Sequence, residues 1–430
     1  MKIAVIGAGI IGVTTAYELA CDGHEVTVLE QRGAAAEESS FAIAGLVTTG
    51  YLAAWSAQTF PTRLMQQVLG RNAALKIILP LSSEDLSWVW QCYRARQPAS
   101  RSLYWARLRQ MALYSRERLH QITTNLNLEY QRSDGSMVLL RSERDRNAIQ
   151  PGLQMLRDSG VIFKELTPPE ARKIEPALNP DTPFFGAVHL PNDEVGNCRQ
   201  FALMLKKAAQ RINVKFLFNA TVTHIRPNGG IAISVGGESP PHQFDACVMC
   251  AGLASVRLLA PLGLKIPLRA VHGYSVSAAV REPLNAPRSA VIDERYKVII
   301  TRLGNRVRVA GSAEIGGSPD RKNANALQNL YQVLHDWFPG AAKLTGGVQE
   351  WKGGSPMLPD GRPMIGASGI AGLWLNLGHG FNGWTLSCGS ARLLADLING
   401  KTPGLDVCGD EIEPAADLKS QAQWVDTIRA

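Results

Sequence analysis

Three glycines near the start of the chain have the spacing of a nucleotide-binding turn. Gly7, Gly9 and Gly12 form the pattern G-x-G-x-x-G directly after the apolar segment 2–6. The first glycine of this pattern permits a tight turn, the second lets the backbone approach a pyrophosphate, and the third lets a helix pack closely on a strand. The helix that follows would direct its free N–H groups and the positive end of its dipole at the phosphates.

An acidic residue follows at the distance that such a site requires. Glu30 lies eighteen residues after Gly12, at the end of the apolar segment 25–29. A carboxylate there accepts hydrogen bonds from both ribose hydroxyls and repels a 2′-phosphate. The pattern therefore favours FAD or NAD over NADP.

A second glycine-rich turn near the other end of the chain distinguishes FAD from NAD. Gly378, Gly380 and Gly383 lie between a predicted strand at 372–377 and a helix that starts near Trp384. Reduced flavin carries negative charge around N1 and C2=O, and a helix N terminus stabilises that charge. An NAD site has no comparable need for this second helix, so we expect FAD.

The predicted elements that must position these turns alternate between α/β segments and antiparallel β segments. Segments 2–6, 10–22 and 25–29 predict a βαβ unit, and 33–50 predicts a close-packed loop along the cofactor. The remaining predicted elements are a helical region at 61–130, strands at 136–140, 185–190 and 215–218, helices at 199–211, 324–337 and 384–398, and antiparallel β structure at 231–250 and 266–312 with a Gly304-Asn305 hairpin turn.

This order predicts an α/β protein with two interleaved domains. An FAD-binding Rossmann-like domain of the glutathione-reductase type would comprise 1–60, 195–262 and 354–430. A mostly antiparallel β substrate-binding domain would comprise 61–194 and 263–353. The length of 430 residues suits two such domains.

Composition excludes several classes of protein. The chain is 45% hydrophobic with a net charge of +8, which excludes disorder and favours anionic partners, but it contains no nucleic-acid-binding motif. The seven irregularly spaced cysteines argue for a reducing compartment, and Cys247 and Cys250 would face opposite sides of a strand, so we expect no disulfide and no metal site. Without an apolar run of about 18 residues, the protein is expected to be soluble or bound to a membrane from one side.

Motifs along the whole chain resemble those of a known family. They are GAGIIG, HEVTVLE, AGLVTTGYLAAW, HLPNDEVGNCRQF, VKFLFN, HGYSV, DERYKVIITRLGNRVRVAGSAEI, SPMLPDGRPMIG and LWLNLGHGFNGWTLSCGS. This combination is similar to the small-subunit family of bacterial D-amino acid dehydrogenases, within the D-amino acid oxidase/glycine oxidase superfamily. The resemblance implies non-covalent FAD and oxidative deamination of D-amino acids to 2-oxo acids and ammonia. It also implies a role in amino acid catabolism and a cytoplasmic protein, peripheral on the inner face of the cytoplasmic membrane, where electrons pass to a quinone or another carrier.

We expect the cofactor to contact the two glycine-rich turns, the end of the second strand, the 39–46 loop and the middle of the chain. The expected residues are Gly7, Gly9, Ile10, Ile11, Gly12, Glu30, Gln31, Arg32, Ser39, Ser40, Ala44, Gly45, Leu46, Val222, Ala251, Gly252, Gly378, His379, Gly380, Phe381, Asn382, Gly383, Trp384 and Thr385.

The expected substrate contacts are tyrosines and an arginine. An amino acid carboxylate usually calls for the guanidinium fork of an arginine and a tyrosine hydroxyl. Tyr296 and Arg302 would share one face of a strand, and the resemblance places a substrate-contacting tyrosine close to position 298. Tyr51 and Tyr274 are further candidates. His379 is expected to donate a hydrogen bond to the flavin.

Three positions depart from the family pattern. Ser355 stands where the family has an arginine that grips the substrate carboxylate, and Ile43 and Leu46 replace polar residues of the loop near the flavin. Two alternatives therefore remain open at the level of the sequence. One is an amine or imino acid oxidase or dehydrogenase of the glycine, sarcosine, hydroxyproline or opine type, and the other is a non-catalytic flavin-binding subunit.

The segment 88–118 combines arginines with aromatic residues. Trp88, Trp90, Tyr93, Tyr104 and Trp105 lie among seven arginines. Such a segment is typical either of a helix that contacts a membrane surface or of a solvated helix face over the substrate domain.

Overall fold

The computed structural model describes residues 1–50, 75–95, 98–236, 240–318 and 320–402. Its strands are β1 (Lys2–Ile6), β2 (Glu25–Leu29), β3 (Leu46–Val47), β4 (Leu75–Ile78), β5 (Ser133–Leu140), β6 (Lys164–Leu166), β7 (Gly186–Val195), β8 (Lys215–Leu217), β9 (Val222–Pro227), β10 (Ile231–Val235), β11 (His242–Phe244), β12 (Ala246–Met249), β13 (Arg269–Val280), β14 (Ala290–Asp293), β15 (Val298–Leu303), β16 (Arg306–Gly316), β17 (Ala342–Lys343), β18 (Gln349–Met357), β19 (Met364–Ala367) and β20 (Leu373–Leu377). Its α-helices are α1 (Ile10–Cys21), α2 (Ser83–Arg94), α3 (Pro98–Leu126), α4 (Glu143–Asp158), α5 (Pro168–Ile174), α6 (Cys198–Arg211), α7 (Ala254–Leu259), α8 (Ala324–Trp337) and α9 (Gly383–Ile398).

The first large sheet has six strands in the order β19-β20-β12-β1-β2-β8. All neighbours in it are parallel except β19, which is an antiparallel edge strand. Ile6 lies beside both Leu29 and Met249, so the loops after β1, β2 and β12 leave the sheet at the same edge. In an open parallel sheet, ligands bind at this carboxyl edge.

The second large sheet runs in the order β17-β13-β16-β15-β14-β5-β7-β3, with β18 beside β13, β4 beside β16 and β6 beside β7. Most of its pairs are antiparallel, whereas β4–β16 and β5–β14 are parallel. Helix α8 packs on β13, β15 and β16. Leu330, Val333 and Trp337 of α8 are buried at helical spacing, so one apolar face of the helix covers one face of the sheet. A small sheet of β9, β10 and β11 completes the β structure of the described residues.

The predicted fold class is confirmed, because an α/β unit with a parallel sheet lies beside a mostly antiparallel one. The βαβ unit, the hairpin at Gly304-Asn305 and α8 are where the sequence predicts them. The segment 75–78, which was expected to be helical, is instead strand β4, since a short apolar run is ambiguous between helix and strand. Helices α4 and α5 were not predicted, and 51–74 lies outside the described residues.

The proposed domain boundaries stay a prediction, although the sheets add two observations. The boundary at 354 falls inside β18, whose whole length pairs with β13. Helix α3 was assigned to the substrate domain, yet Leu119 and Ile122 of its second half belong to the hydrophobic core around α1 and β1. His120 of the same half lies 2.8 Å from Glu194 of β7, measured from Nε2 to Oε2, so the helix contacts both sheets.

The basic aromatic segment 88–118 does not form one solvated face. Trp88 and Trp105 are buried, and Arg118 donates two hydrogen bonds to the fully buried carboxylate of Glu18. Trp90, in contrast, is exposed. Within the described ranges, no helix is long and apolar enough to cross a bilayer.

Candidate functional site

A cavity of about 640 Å³ opens at the carboxyl edge of the first sheet. One wall comes from the loops after β1, β2, β12 and β20, and the opposite wall comes from β13, β16 and β18 of the second sheet. Most residues that the sequence predicts as cofactor contacts line this cavity, namely Gly7, Gly9, Ile10, Ile11, Glu30, Gln31, Arg32, Ser39, Ser40, Ala44, Gly45, Leu46, Val222, Ala251, Gly252, Gly378, His379, Gly380, Phe381, Asn382, Gly383, Trp384 and Thr385. The volume is that of a small-molecule or cofactor site, whose range is about 300 to about 1,000 Å³.

The first glycine-rich turn is packed too tightly for side chains. Gly7 has a φ of +101°, and a Cβ there would lie 2.6 Å from the carbonyl oxygen of Cys250. Gly12 does not line the cavity. A Cβ on it would lie 1.9 Å from the carbonyl oxygen of Gly7. The absence of a side chain at Gly12 therefore allows α1 to pack closely on the turn. At the start of the same helix, Ile10 N donates a hydrogen bond to Ser40 Oγ at 3.1 Å.

Glu30 is held beside this turn by the backbone. Its Oε2 accepts from Ala8 N at 2.6 Å and its Oε1 accepts from Arg32 N at 2.8 Å, while the residue is only 7% exposed. A carboxylate has about four lone-pair sites. Two acceptor positions therefore remain for the hydroxyls of a ribose in the cavity.

Three side chains fix the carbonyl groups of the loop that lines the middle of the cavity. Arg308 Nη1 donates to Ile43 O at 3.1 Å, Thr301 Oγ1 donates to Ala44 O at 2.9 Å, and Trp384 Nε1 donates to Gly45 O at 3.2 Å. The loop therefore takes its shape from the second sheet and from α9.

The second glycine-rich turn presents the N terminus of α9 to the cavity. No side chain caps that N terminus, and Gly383 and Thr385 of its first turn line the cavity. His379 precedes it and is buried, and burial lowers the pKa of its imidazole to about 3. The ring is neutral at about pH 7, so it can donate or accept a hydrogen bond but cannot act as a base at that pH.

The cavity fits FAD. His379 Nε2, Asn376 Oδ1 and His272 Nδ1 line it, are buried, and have no hydrogen-bond partner among the described residues. Buried polar atoms in this state call for a ligand. Glu30 would hold the ribose, the N terminus of α1 the pyrophosphate, and the N terminus of α9 the flavin ring.

The far wall of the cavity, which β13, β16 and β18 form, carries a network of charged groups that are paired with one another. Lys352 Nζ lies 3.0 Å from Glu314 Oε2, and the two side chains are 4% and 5% exposed. The same ammonium donates to the carbonyl oxygens of Ser318 and Arg321 at 2.9 and 3.0 Å. Tyr274 lines the cavity, but its hydroxyl donates to Glu314. All three protons of the Lys352 ammonium therefore have partners inside the protein.

Glu314 is ionised in this setting. Burial alone would raise the pKa of its carboxyl, but hydrogen bonds from Tyr274, Lys352 and Asn323 outweigh burial and lower it. The ion pair is therefore internally neutral and offers no net charge to a ligand.

Ser355, where the family resemblance leads us to expect an arginine, lies at the same wall. Gly353, Gly354, Ser355 and Pro356 of β18 line the cavity, and β13 places His272 opposite Gly354. Burial, followed by the charge of Lys352, lowers the pKa of His272. Among the described residues of β13, β15, β16 and β18 that line the cavity, none is an arginine.

Two predicted substrate contacts lie elsewhere. Tyr296 precedes β15, packs in the core under α8, and has the guanidinium of Arg141 4.9 Å from its ring centre. Arg302 donates to the carbonyl oxygens of Gly304 and Pro283. Neither residue lines the cavity, because the even-numbered face of β15 points at α8, whereas Ile299 of the odd-numbered face lines the cavity. Tyr51 lies outside the described residues.

Sequence reasoning missed Lys352, Glu314 and His272. Lys352 directly precedes the Gly353-Gly354 pair, which is a usable signal. Glu314 is 38 residues away in the chain, so only the pairing of β13 with β16 and with β18 brings the two together.

Known proteins are similar to this chain in sequence and in fold. The sequence profile of the family described as DAO, FAD dependent oxidoreductase, matches residues 2–397. A D-amino acid dehydrogenase of Bradyrhizobium diazoefficiens is 39% identical over 95% of this chain and 97% of its own length. One from Cereibacter sphaeroides is 37% identical over 94% of this chain and 93% of its own length. The crystal structure of glycine oxidase from Geobacillus kaustophilus superposes with a TM-score of 0.70 at 23% identity, covering 95% of this chain and 97% of that chain.

Proposed function

This chain belongs to the DAO family of FAD-dependent oxidoreductases, and from that premise we propose that it oxidatively deaminates D-amino acids to 2-oxo acids and ammonia. One structural observation carries the proposal: the cavity that fits FAD has its opposite wall in the second sheet, at β13, β16 and β18. The relatives named D-amino acid dehydrogenase support the substrate class.

The reaction removes a hydride from the substrate Cα and a proton from its amino group, and water then hydrolyses the imine to the 2-oxo acid and ammonia. When bound, FAD supplies the two-electron acceptor for that hydride. The protein must orient Cα and exclude water. Ile299, Ala310 and Trp351 of the far wall support a substrate with an apolar side chain.

His272 is our candidate for the substrate carboxylate. It is 7% exposed, lines the cavity opposite Gly354 and has an unpartnered Nδ1 within the described chain, whereas Lys352 and Tyr274 are engaged by Glu314. A neutral imidazole donates one hydrogen bond from whichever nitrogen carries the proton. In this proposal, His272 replaces part of the role that an arginine has at position 355 in the family.

The electron acceptor in this proposal is a quinone or another membrane carrier, reached from the inner face of the cytoplasmic membrane. Support comes from α2, where Leu86, Trp90 and Tyr93 are 57%, 55% and 59% exposed and the two rings stack at 5.7 Å. Aromatic residues of this kind favour the membrane interface. We expect Trp90→Ser to weaken cosedimentation with anionic lipid vesicles, while Leu284→Ser, at an apolar residue that is 84% exposed, leaves it unchanged. Equal effects of the two changes, or none, would contradict membrane contact through α2.

The test of the catalytic proposal is anaerobic reduction of the purified, FAD-loaded protein. D-amino acids with apolar side chains should bleach the flavin absorbance, and their L-enantiomers should not. Bleaching by glycine, sarcosine or proline derivatives alone would replace the proposal with an amine or imino acid oxidase. If none of these compounds bleaches a flavin that dithionite still reduces, the proposal fails and a non-catalytic flavoprotein takes its place.

A further inference from the structure

A second cavity, of about 430 Å³, lies on the other side of the loop 41–44. It is walled by Phe41, by residues of α6 between Arg199 and Lys207, and by two residues of β16. We call it the basic cavity, defined by Arg199, Lys207, Arg306 and Arg308. None of these four residues lines the cofactor cavity.

The two arginines of β16 have only neutral partners. Arg308 is 9% exposed, its Nη1 donates to Ile43 O, and its buried Nε has no hydrogen-bond partner among the described residues. Arg306 donates to Ser277 and to the carbonyl oxygen of Gly347. Neither arginine forms an ion pair with a carboxylate of the described chain. Because burying a cation without a counter-charge is unfavourable, this arrangement calls for an anion.

The helical side of the basic cavity adds two more cations. Arg199 lies in the first turn of α6, where the helix dipole disfavours a cation, and its buried Nε also lacks a partner within the described residues. The carboxylate nearest to it in the described chain is Glu37, at 3.9 Å. Lys207, two turns further along α6, is exposed at the rim.

The charges of these residues act on one another. Burial, followed by the charges of the neighbouring Arg306 and Arg199, lowers the pKa of Arg308 to about 10. An anion between them would remove this mutual repulsion. Guanidinium groups present planar pairs of donors that match the oxygens of a phosphate.

We propose that the basic cavity binds a phosphate group carrying at least two negative charges, and that the bound phosphate acts on the cofactor loop through Arg308. The link is direct, because the guanidinium that faces the basic cavity also holds the carbonyl of Ile43, which lines the cofactor cavity. The ligand is thus recognised by its charge and geometry, on a site separate from the pyrophosphate position at the N terminus of α1.

The test titrates pyrophosphate into the FAD-loaded protein, with calorimetry and the flavin absorbance spectrum as parallel readouts. We expect saturable binding of one equivalent together with a shift of the flavin bands. Binding should weaken as the ionic strength rises from about 0.01 M to about 0.15 M, since the Debye length falls from about 30 to about 8 Å. Lys207→Gln should weaken binding about fivefold and Arg308→Met more than about tenfold.

The matched control is Lys206→Gln, because Lys206 lies over the rings of Phe216 and Phe218 and does not line the basic cavity. Equal weakening by Lys206→Gln and Lys207→Gln would overturn the site, as would an absence of binding at millimolar pyrophosphate. Release of flavin during the titration would place the anion at the cofactor's own phosphate position and would also overturn it. Tighter binding of citrate than of pyrophosphate would refute a phosphate ligand, and binding without a spectral shift would refute the action on the loop.

Discussion

Replacing Lys352 by methionine tests whether this lysine is a counter-ion or a substrate-binding residue. The change leaves the carboxylate of Glu314, 5% exposed, without the ammonium that lies 3.0 Å away. Removing one partner of a buried ion pair costs about 3–5 kcal/mol of folding free energy. We expect Lys352→Met to lower the free energy of unfolding by that amount, measured by urea denaturation of the FAD-loaded protein.

The double variant Lys352→Met/Glu314→Gln is the decisive comparison. It removes both charges and keeps an acceptor for the hydroxyl of Tyr274, so it should recover at least about half of the lost stability. If Lys352 is only a counter-ion, the double variant should also reduce its flavin with substrate within about tenfold of the wild-type rate. A lysine that grips the substrate carboxylate would lose about 2 kcal/mol or more of binding, a factor of about 30, and Glu314→Gln would not restore it. That pattern would refute the assignment.

Three further predictions concern the cofactor side. Gly12→Ala should weaken FAD retention and lower the free energy of unfolding by at least about 1–3 kcal/mol, because the new Cβ would lie 1.9 Å from the carbonyl oxygen of Gly7. The control Gly152→Ala, whose Cβ would have no neighbour within 4 Å, should change neither FAD retention nor stability. Glu30→Gln should raise the dissociation constant of FAD about tenfold, measured by flavin fluorescence, and an unchanged constant would refute a ribose contact. In the folded protein the pKa of His379 is lowered from 6.5 to about 3, so the unfolded chain binds a proton at this residue more readily than the folded chain does. The free energy of unfolding should therefore fall by about 1.4 kcal/mol per pH unit as the pH drops below about 6.5. The urea midpoint of His379→Gln should therefore depend less steeply on pH between 5 and 7 than that of the wild type.

The cofactor side of the site could be predicted from the sequence because its signals are local. Gly7, Gly9, Gly12 and Glu30 belong to one βαβ unit, whose geometry follows from short spacings between neighbouring elements. The second glycine-rich turn was found in the same way, as a strand followed by a helix. In such turns the backbone makes the contacts, so residue spacing alone carries the information.

The substrate side could not be predicted at the level of single residues. The sequence determined that β15 is a strand, but Lys297 has a φ of +52° and ends the regular pairing before Tyr296. Which face of β15 meets the cavity depends on α8, which packs against Val298 and Ile300 from elsewhere in the chain.

The sequence by itself therefore determined the βαβ unit, the hairpin, the two glycine-rich turns and the cofactor, since each depends on residues that are close together in the chain. The tertiary structure alone decided that Lys352 is neutralised by Glu314, that His272 lies opposite Gly354 at the wall of the cofactor cavity, and that Arg308 stands between two cavities. These contacts join residues far apart in the chain, and only the pairing of strands across the second sheet and its packing against the cofactor loop bring them together.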